Sequence, residues 1–599
     1  MGIYTVLPDG LSEVDVIIAG GGTTGCVVAA RLATADPGLC ILVVEGGSNN
    51  DMPTIAVPAL CPANLVPSST ANIFYKTNKE KQLGDRELLV ASGGVLGGGS
   101  STNLMMYSRA QRSDFDSWNT PGWSADDMLP YLRKLETYHG PGAKDVHGHE
   151  GPIHVSSGTF RCSTSENDFI VAAEMLGWPE IEDLQNLDAN NGVQRAMRYL
   201  SPDGKRQDAA SKYLHPRLQG GDHPNLHVLL ETKIVRVLFD DDKRAIGVEC
   251  CKSGSSMSTT TQIKARKLVI ISCGACGTPS VLERSGVGSV EILQRAGIQL
   301  VAEVPGVGEE YLDHQLLLYP YKSNLKPEET LDAIFSGRRN VQDLIKNHDP
   351  ILGWNSMDIT CKLRPSEANI EGLGLAYKKM WDLDFKNIPD KPAVLMSVVN
   401  GFPGDPSSIP AGQYISITVF TAHPYSRGHL HITGPELSDP LDFETGFFAD
   451  ADNIDIKQHM WAYKKQREIA RRMHTYRGEV TSCHPPFSAS SQAVCIETDA
   501  PLVDVKNIEY SLEDDLILEK WLRQTVETTW HSAGTCKMAP LQNRGVVDAN
   551  LRVHGVEGLR IADLSILPHN VAANTNNTAL AVGEKAADIF IQELGLGRN

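Results

Sequence analysis

The sequence lacks the features that direct a protein into a membrane or onto a nucleic acid. It contains no run of about eighteen apolar residues, which excludes an ordinary membrane-spanning helix. Its formal net charge at pH 7 is −18 and it has no basic tract, so neither nucleic acid nor an anionic membrane surface is expected as a partner. The first residues show no charged segment followed by an apolar one, so no secretory signal is expected.

The sequence also lacks cysteine spacing that is typical of a metal site. Among its twelve cysteines, Cys273 and Cys276 form a C-x-x-C pair, for which redox or metal chemistry is one interpretation. No second cysteine or histidine pair flanks it at zinc-ligand spacing, so buried free thiols are the favoured interpretation. We therefore expect no metal and an intracellular protein with reduced thiols.

The chain is long enough for several lobes and shows no repeat of fixed period. At 599 residues it exceeds one ordinary domain, so two or more lobes are expected, built in part from non-contiguous segments. Between residues 315 and 514, Pro-rich loops alternate with helical and β-rich stretches, which indicates a second lobe. The C-terminal segment is expected to return and complete the first lobe.

A glycine-rich turn between two apolar runs dominates the N-terminal part. The stretch from residue 14 to 33 reads VDVIIAGGGTTGCVVAARLA, in which a β-branched run predicts a buried parallel strand and residues 26–33 continue a helix. Gly20, Gly22 and Gly25 stand between them in the G-x-G-x-x-G spacing. They would serve a tight turn, the approach of backbone to a pyrophosphate, and close packing of helix on strand.

The next apolar run, at residues 40–45, ends in an acid. Glu45 lies at the separation from the glycines that is expected of a carboxylate binding a ribose hydroxyl. An acid there favours an unphosphorylated ribose, and hence NAD or FAD over NADP. The sequence therefore predicts a dinucleotide-binding βαβ unit.

Further along the chain, glycines and β-branched runs predict further elements of the dinucleotide-binding lobe. Residues 92–104 hold a second glycine cluster, which predicts close approach of backbone to a ligand or to another element. Residues 227–238 are predicted as one strand, and residues 267–272, KLVIIS, as another. Thr278 and Pro279 after it are interpreted as the start of a helix.

Four ordered motifs resemble the glucose–methanol–choline (GMC) flavin oxidoreductases. They are the unit at residues 20–45, the GGGSSTN loop at 97–103, the segment 274–288, and TWHSAGT at 529–535. Within the family the chain looks most like the fungal alcohol (methanol) oxidases, through GGGSSTNLMMYSRA, HPYSRGHLHI, ETTWHSAGTC and NTNNTALAVGEKAAD.

The resemblance implies a mixed α/β fold. It has a Rossmann-like FAD-binding lobe and a second, α+β substrate lobe, similar to that of p-hydroxybenzoate hydroxylase (PHBH) and built on an antiparallel sheet. The expected boundaries place 1–156, 226–314 and 527–599 in the FAD lobe, the last with the active-site segment, and 157–225 and 315–526 in the substrate lobe. The cofactor is expected to be FAD, and the partners a small alcohol and O₂; a homo-oligomer is one option for the assembly.

The resemblance also implies site residues. His531 is the active-site histidine and Asn574 its partner, with Trp530 and Leu104 at the substrate pocket. Val235 is expected near the adenine, and Asp563 with Thr575 at the flavin. The full set expected to contact FAD is Gly20, Gly22, Thr23, Thr24, Gly25, Glu45, Gly46, Gly98, Asn103, Met106, Val235, Asp563 and Thr575.

The chemistry of alcohol oxidation gives these residue types a reason. The reaction needs loss of the hydroxyl proton and transfer of a hydride to flavin N5, followed by reoxidation by O₂ to hydrogen peroxide. A histidine titrates near neutral pH and is suited to accept that proton, which makes His531 the expected general base. The amide of Asn574 does not titrate and is expected to hold the substrate oxygen in line.

Three positions depart from the family pattern. Gly94 stands where many members have a basic or amide residue. Thr102 stands where some relatives carry a histidine bonded to the flavin, so non-covalent FAD is expected. Leu104 replaces the phenylalanine of methanol-oxidising relatives, which favours alcohols larger than methanol.

Other functions stay open at this point. The chain could reduce a quinone-type acceptor as a GMC dehydrogenase, oxidise formate or aldehyde, or bind FAD structurally as a hydroxynitrile-lyase-like protein. Formate oxidases look to place an arginine where this chain has Asn574. The last residues, GRN, differ from the peroxisomal S-K-L signal, which leaves cytoplasm and peroxisome as the expected compartments.

Overall fold

The apolar run near the N-terminus forms the centre of a parallel sheet. In the computed structural model, which describes residues 2–254 and 260–597, the strand Glu13–Ala19 pairs in parallel with Ile41–Val44 and with Thr260–Ile271. Its side chains from Val16 to Ala19 are fully buried. The helix Thr23–Ala35 follows the turn and packs against the C-terminal helix Asn576–Glu593, so both chain ends build this lobe.

Eight strands of the described residues form this first sheet. In order from one edge they are Gly2–Tyr4, Leu226–Leu229, Ile41–Val44, Glu13–Ala19, Thr260–Ile271, Ala245–Lys252 and Thr232–Phe239, with Leu559–Ile561 also paired to Thr260–Ile271. The strands pair in parallel except the last two, which form an antiparallel extension. The prediction of one strand over residues 227–238 is wrong, because Glu231, with φ of 53°, divides the run into two strands with different neighbours.

A second sheet, antiparallel throughout, forms the other lobe. Its strands, in order, are Tyr476–Glu479, Gln315–Ser323, Gln413–Thr421, Val394–Val399, Met357–Leu363 and Gly192–Arg195, with Glu527–Thr528 also paired to Gln315–Ser323. Side chains alternate along the central strands, so Leu317 and Tyr319 pack into the core of this lobe while Leu316 and Leu318 lie on the opposite face. The α/β fold with a second lobe on an antiparallel sheet is confirmed.

Helices cover both sheets. Those of ten or more residues are Thr23–Ala35, Ala125–Lys134, Ser163–Glu174, Gly274–Arg284, Leu375–Asp384, Ile454–Arg472, Leu512–Thr525 and Asn576–Glu593. Shorter α-helices are Pro53–Ala56, Gly99–Thr102, Arg112–Ser117, His215–Gln219, Val290–Arg295, Asp332–Phe335, Val341–Lys346 and Glu367–Gly372. Over residues 2–254 and 260–597, none of the helices combines the length and the apolar character needed to cross a membrane.

Small two-stranded sheets lie outside the two large sheets. They pair Asn72–Lys76 with Leu89–Gly93, Glu136–Tyr138 with Ile153–Val155, Val287–Gly288 with Ala302–Glu303, and His429–Ile432 with Leu441–Glu444. The predicted helix start at Thr278 and Pro279 is wrong, since the helix begins at Gly274. The carboxylate of Asp563 accepts the Gly274 N–H at 2.9 Å and the Thr278 hydroxyl at 2.6 Å, so a residue distant in sequence caps this helix.

Candidate active site

A cavity of about 1610 Å³ is lined by residues of both sheets and reaches from the N-terminal glycine turn to His531. Of the predicted site residues, those that line it are Gly20, Gly22, Thr23, Thr24, Glu45, Gly46, Gly98, Asn103, Leu104, Met106, Trp530, His531, Asp563, Asn574 and Thr575. Pockets for drug-sized ligands usually have volumes of roughly 300–1,000 Å³. The cavity therefore has room for a larger, extended ligand with a small molecule beside it.

Two predicted residues, Gly25 and Val235, lie outside the cavity lining. A Cβ on Gly25 would sit 2.2 Å from the carbonyl oxygen of Gly20, so this glycine permits the helix to pack under the turn. Val235 is buried, and its carbonyl accepts a hydrogen bond from Arg284 Nε at 3.1 Å. The same strand reaches the cavity through the residues just before it, Thr232, Lys233 and Ile234.

The glycine turn is a backbone-lined cradle. Gly20 has a φ of 106°, and a Cβ there would meet the carbonyl oxygen of Ser272 at 2.3 Å. The second glycine cluster packs onto it, since a Cβ on Gly98 would lie 2.8 Å from Gly22 Cα. The free N–H groups of the helix Thr23–Ala35 begin at this point, which is the arrangement that binds phosphate groups.

The Glu45 side chain lines the cavity next to the glycine turn. Its carboxylate accepts the backbone N–H of Gly21 and of Gly47, each at 2.8 Å. Burial raises the pKa of Glu45, although these N–H groups oppose the shift. The carboxylate is thus oriented beside the glycine turn, where it could bind ribose hydroxyls.

Asp563 and Asn103 line the middle of the cavity. Besides capping the helix Gly274–Arg284, Asp563 accepts the N–H of Ser565 at 2.8 Å, and burial raises its pKa. Asn103 Oδ1 accepts from Met105 N at 3.0 Å and from Arg206 Nη1 at 2.9 Å. Sequence reasoning missed Arg206, a buried cation that also binds the carbonyl of Ser100, because no motif marks it.

His531 and Asn574 meet at the other end of the cavity. The Nε2 atom of His531 lies 3.5 Å from Nδ2 of Asn574, although the residues belong to different segments. Burial lowers the pKa of His531 well below 6.5, and the neighbouring His314 ring lowers it further. A neutral imidazole beside a carboxamide can accept a proton and position a hydroxyl group.

Two residues behind His531 were missed by the sequence reasoning. The Nδ1 atoms of His314 and His531 are 2.8 Å apart, and Asp313 accepts the backbone N–H of His531 at 3.0 Å. Asp313 also accepts bonds from the hydroxyls of Thr528 and Tyr311, and burial raises its pKa to about 6. The only signal for them in the sequence is an Asp-His pair directly before an apolar strand.

An apolar surface faces the His531–Asn574 pair. From the second sheet it includes Leu316, Leu318 and Phe420, with the Phe420 ring centroid 5.7 Å from that of His531. Leu104 lies in a separate cluster of Met106, Met357 and Val399, all of which line the cavity. This wall would bind the carbon chain of a small substrate and exclude water from the reacting atoms.

The cysteines form no disulfide bond among the described residues. All twelve fall within the described residues and are free thiols. Burial raises the pKa of Cys276 to about 12, and the Cys273 thiol donates to the carbonyl of Ala19 at 3.2 Å. Across the described ranges, no group of three or more metal-ligating side chains is assembled.

The fold and the site together define a class of dinucleotide-binding oxidoreductase with a histidine–amide centre. Two sequence models described as GMC oxidoreductase match residues 14–316 and 424–583. The alcohol oxidase of Candida boidinii is 37% identical, with 97% of this chain and 95% of that protein covered. The alcohol oxidase of Pichia angusta is 36% identical, with 98% of this chain and 96% of that protein covered.

Solved structures share the fold. A variant of formate oxidase from Aspergillus oryzae has a TM-score of 0.83 at 23% identity, covering 98% of this chain and 99% of its own. A fungal aryl-alcohol oxidase has a TM-score of 0.77 at 22% identity, covering 98% of this chain and 100% of its own. The chain belongs to the GMC oxidoreductase family, as its motifs predicted.

The residues present fit FAD, the cofactor of this family. The glycine cradle leaves no room for a side chain at Gly20 or Gly98, as a pyrophosphate site requires, and Glu45 lies beside it. The cavity continues from there past Thr102 and Asn103 to His531. The cavity can therefore accommodate an extended dinucleotide between Glu45 and His531.

Proposed function

We propose that this chain is an FAD-dependent oxidase of primary alcohols, forming an aldehyde and hydrogen peroxide. The observation that carries the proposal is the meeting of His531 Nε2 and Asn574 Nδ2, 3.5 Å apart, at the end of a cavity whose other end is a dinucleotide cradle. The identity of 35–37% to alcohol oxidases over nearly the whole chain supports it.

The chain's own residues divide the work. Gly22 and Gly98 would hold the pyrophosphate, Glu45 the ribose, and Thr575 with Asp563 the flavin end. When bound, FAD supplies two-electron redox chemistry, taking a hydride equivalent from the alcohol carbon and returning the electrons to O₂. His531 accepts the hydroxyl proton at Nε2.

Asn574 and the apolar wall orient the alcohol. The Asn574 carboxamide binds the substrate oxygen, which directs the carbinol carbon toward the cofactor. Leu316, Leu318 and Phe420 cover the carbon chain from the second sheet. Because Leu104 is smaller than phenylalanine, the pocket accepts primary alcohols larger than methanol, and a methylene of fit is worth roughly 1–3 kcal/mol.

We propose that FAD is bound without a covalent link. Thr102, the residue at the position of the flavin-linked histidine in some relatives, lines the cavity and is buried. A hydroxyl group does not provide the imidazole nitrogen of such a link. Denaturation with acid should release the yellow cofactor into the supernatant, whereas flavin remaining with the precipitated protein would contradict this part.

The decisive experiment mixes the purified holoenzyme with primary alcohols from methanol to hexanol, and with benzyl alcohol, without oxygen. Bleaching of the flavin by one or more alcohols, then recolouring with release of peroxide when air enters, is the expected result. Bleaching with slow reoxidation by O₂ and fast reoxidation by a quinone would instead identify a dehydrogenase. No bleaching by any alcohol would contradict the proposal and favour a lyase-like role.

The remaining predictions concern the organisation of the protein. We propose lobe boundaries at 1–156, 226–314 and 527–599 for the FAD lobe and at 157–225 and 315–526 for the substrate lobe. Twelve free thiols support a reducing intracellular compartment, cytoplasm or peroxisome. Arg598 and Asn599, part of the predicted difference from a peroxisomal signal, lie outside the described residues, and a homo-oligomer stays a prediction.

A further inference from the structure

We infer that His314 is a positioning residue that holds His531 in the tautomer with its proton on Nδ1, so that Nε2 is the bare nitrogen facing the cavity. Three contacts in series carry this inference: Ala422 carbonyl to His314 Nε2 at 3.2 Å, His314 Nδ1 to His531 Nδ1 at 2.8 Å, and His531 Nε2 to Asn574 Nδ2 at 3.5 Å.

The series of contacts begins at the Ala422 carbonyl, which can only accept a hydrogen bond. A backbone carbonyl accepts hydrogen bonds and cannot donate, so the Nε2 atom of His314 must carry the proton of its contact with Ala422. Burial lowers the pKa of His314 to about 4, although the Ala422 and Val571 carbonyls oppose the shift. The ring is therefore neutral at neutral pH, and its Nδ1 is left without a proton.

The second contact transmits this assignment to His531. A bare Nδ1 on His314 accepts, so the Nδ1 of His531, 2.8 Å away, must donate. Since burial keeps His531 neutral too, its single ring proton is used in this bond. The Nε2 atom of His531 is then an acceptor, directed at the amide group of Asn574.

The surroundings hold both rings in this relation. Asp313 Oδ1 accepts the backbone N–H of His314 at 2.7 Å and that of His531 at 3.0 Å, which ties the two residues to one carboxylate. Thr529 donates its hydroxyl to the His314 carbonyl at 2.7 Å. The Phe420 ring lies against both imidazoles, with centroid distances of 5.2 and 5.7 Å.

Asp313 and His423 are titratable groups near the pair. Asp313 contacts both residues through their backbones, and His423, adjacent in sequence to Ala422, is itself kept neutral by burial. The Nε2 atom of His423 lies 3.4 Å from the Asp114 carboxylate. Neither group forms a hydrogen bond to the facing Nδ1 atoms, so His314 decides which nitrogen of His531 is protonated.

The consequence for turnover rests on the proposed alcohol oxidation. In that reaction the O–H bond of the alcohol breaks and the proton bonds to Nε2 of His531, while the carbinol hydride goes to FAD. If Nε2 of His531 already carried a proton, it could not accept the proton of the alcohol. The tautomer itself does not depend on that function and can be measured without substrate.

The first test is nitrogen NMR of the oxidised holoenzyme labelled with ¹⁵N-histidine, with the His531 signals assigned by their loss in the FAD-loaded H531N variant. We expect a protonated Nδ1 and a bare Nε2 on His531, without any alcohol present. A protonated Nε2 on His531 would overturn the inference, whether or not an alcohol reduces the flavin.

The second test measures the rate of anaerobic flavin reduction at saturating alcohol in FAD-loaded variants. H314F keeps a buried ring but removes the acceptor, and we expect a loss of roughly 100-fold in this rate with little change in KM. H314N places a side-chain oxygen near the former Nδ1 and should recover at least about tenfold. Equal rates in H314F and the unaltered enzyme, or equal losses in H314F and H314N, would overturn the inference.

A matched control separates this role from the general cost of altering a buried histidine. His484 is also fully buried, bonds a backbone carbonyl through Nε2 at 3.0 Å, and has its pKa lowered to about 4 by burial, but it does not line the cavity. H484F should leave the rate of flavin reduction within about twofold, by the same measurement. If H314F fails to retain FAD, the NMR result on the unaltered holoenzyme decides alone.

Discussion

The two ends of the cavity differ in the groups that line them. At the dinucleotide end, Gly20, Gly22 and Gly98 expose backbone next to the Glu45 carboxylate, and close packing excludes a side chain at Gly20 and at Gly98. At the opposite end, the surface is made of side chains, among them His531 and Asn574. In the proposed function, the first end binds a part common to dinucleotides, whereas the second provides groups that take part in one reaction.

The difference predicts that damage at each end has a distinct signature. A change to the backbone cradle should alter how tightly FAD is held and leave the chemistry of the bound form intact. A change to the side chains at the other end should leave FAD in place and alter the rate or the choice of substrate. The following experiments test that separation, beginning with the largest effect.

His531→Ala should abolish most activity while FAD stays bound. Removal of a general base costs roughly 10²–10⁴ in rate, and His531 lies at the end of the cavity distant from the glycine cradle. The rate of anaerobic flavin reduction and the ratio of flavin to protein absorbance give the two readouts. A variant with near-normal reduction would remove His531 from the proposed mechanism, and one that loses FAD would break the separation of the two ends.

Gly98→Ala should weaken FAD binding. The residue has a φ of 52°, and the new Cβ would lie 2.8 Å from Gly22 Cα, so the two glycine loops must move apart. With a ψ of −134° as well, this backbone lies in a region that residues with a side chain rarely adopt, at a cost of roughly 1–3 kcal/mol. About tenfold weaker affinity corresponds to 1.4 kcal/mol. Titration of the apoprotein with FAD measures the dissociation constant.

Gly372→Ala is the control for Gly98→Ala. Gly372 ends the helix Glu367–Gly372, and a Cβ there would meet nothing within 4 Å. Its FAD affinity should match that of the unaltered protein. An unchanged affinity in Gly98→Ala as well would show that the cradle does not need the close contact between its loops.

Leu104→Phe should shift substrate preference toward methanol. The larger ring fills space beside Met106, Met357 and Val399, which shortens the pocket for longer alcohols. A change of about tenfold in the ratio of kcat/KM for methanol to that for butanol is expected from one or two methylenes of fit. Leu383→Phe, at a position 80% exposed, is the control; an unchanged ratio in Leu104→Phe would reject the volume argument.

The smallest predicted effect is on pH dependence. Burial, and then the His314 ring, lower the pKa of His531 well below 6.5, so the neutral base form persists at mildly acidic pH. The acid limb of kcat/KM for a good alcohol should therefore have its midpoint below 6.5. A midpoint at or above 6.5 would show that the base is more exposed than its environment implies.

Part of this organisation was predictable from the sequence because it depends on local patterns. The strand, turn and helix of residues 13–35 follow from β-branched residues and three spaced glycines. The chain's membership in the GMC family, and the α/β fold with its antiparallel second sheet, followed from four short motifs. Each of these signals lies within a few dozen consecutive residues.

Other features were not predictable, because a residue distant in sequence determines them. The helix Gly274–Arg284 begins four residues before the expected Thr278, since Asp563 caps it from almost three hundred residues away. The run at 227–238 divides at Glu231, because its two halves pair with different strands. Secondary-structure propensity depends on the residues of the segment itself. It does not include contacts with residues that are distant in sequence.

By itself, the sequence determined the class of cofactor site, because a backbone cradle requires glycine at set spacing wherever it occurs. It also determined which histidine and which asparagine to expect at the reacting end, through their motifs. The tertiary structure alone decided that His314 lies 2.8 Å from His531, that Asp313 holds both, and that Phe420 packs against them. Apart from the bond between the neighbours Asp313 and His314, these contacts join segments more than one hundred residues apart, and their geometry exists only once the lobes have packed.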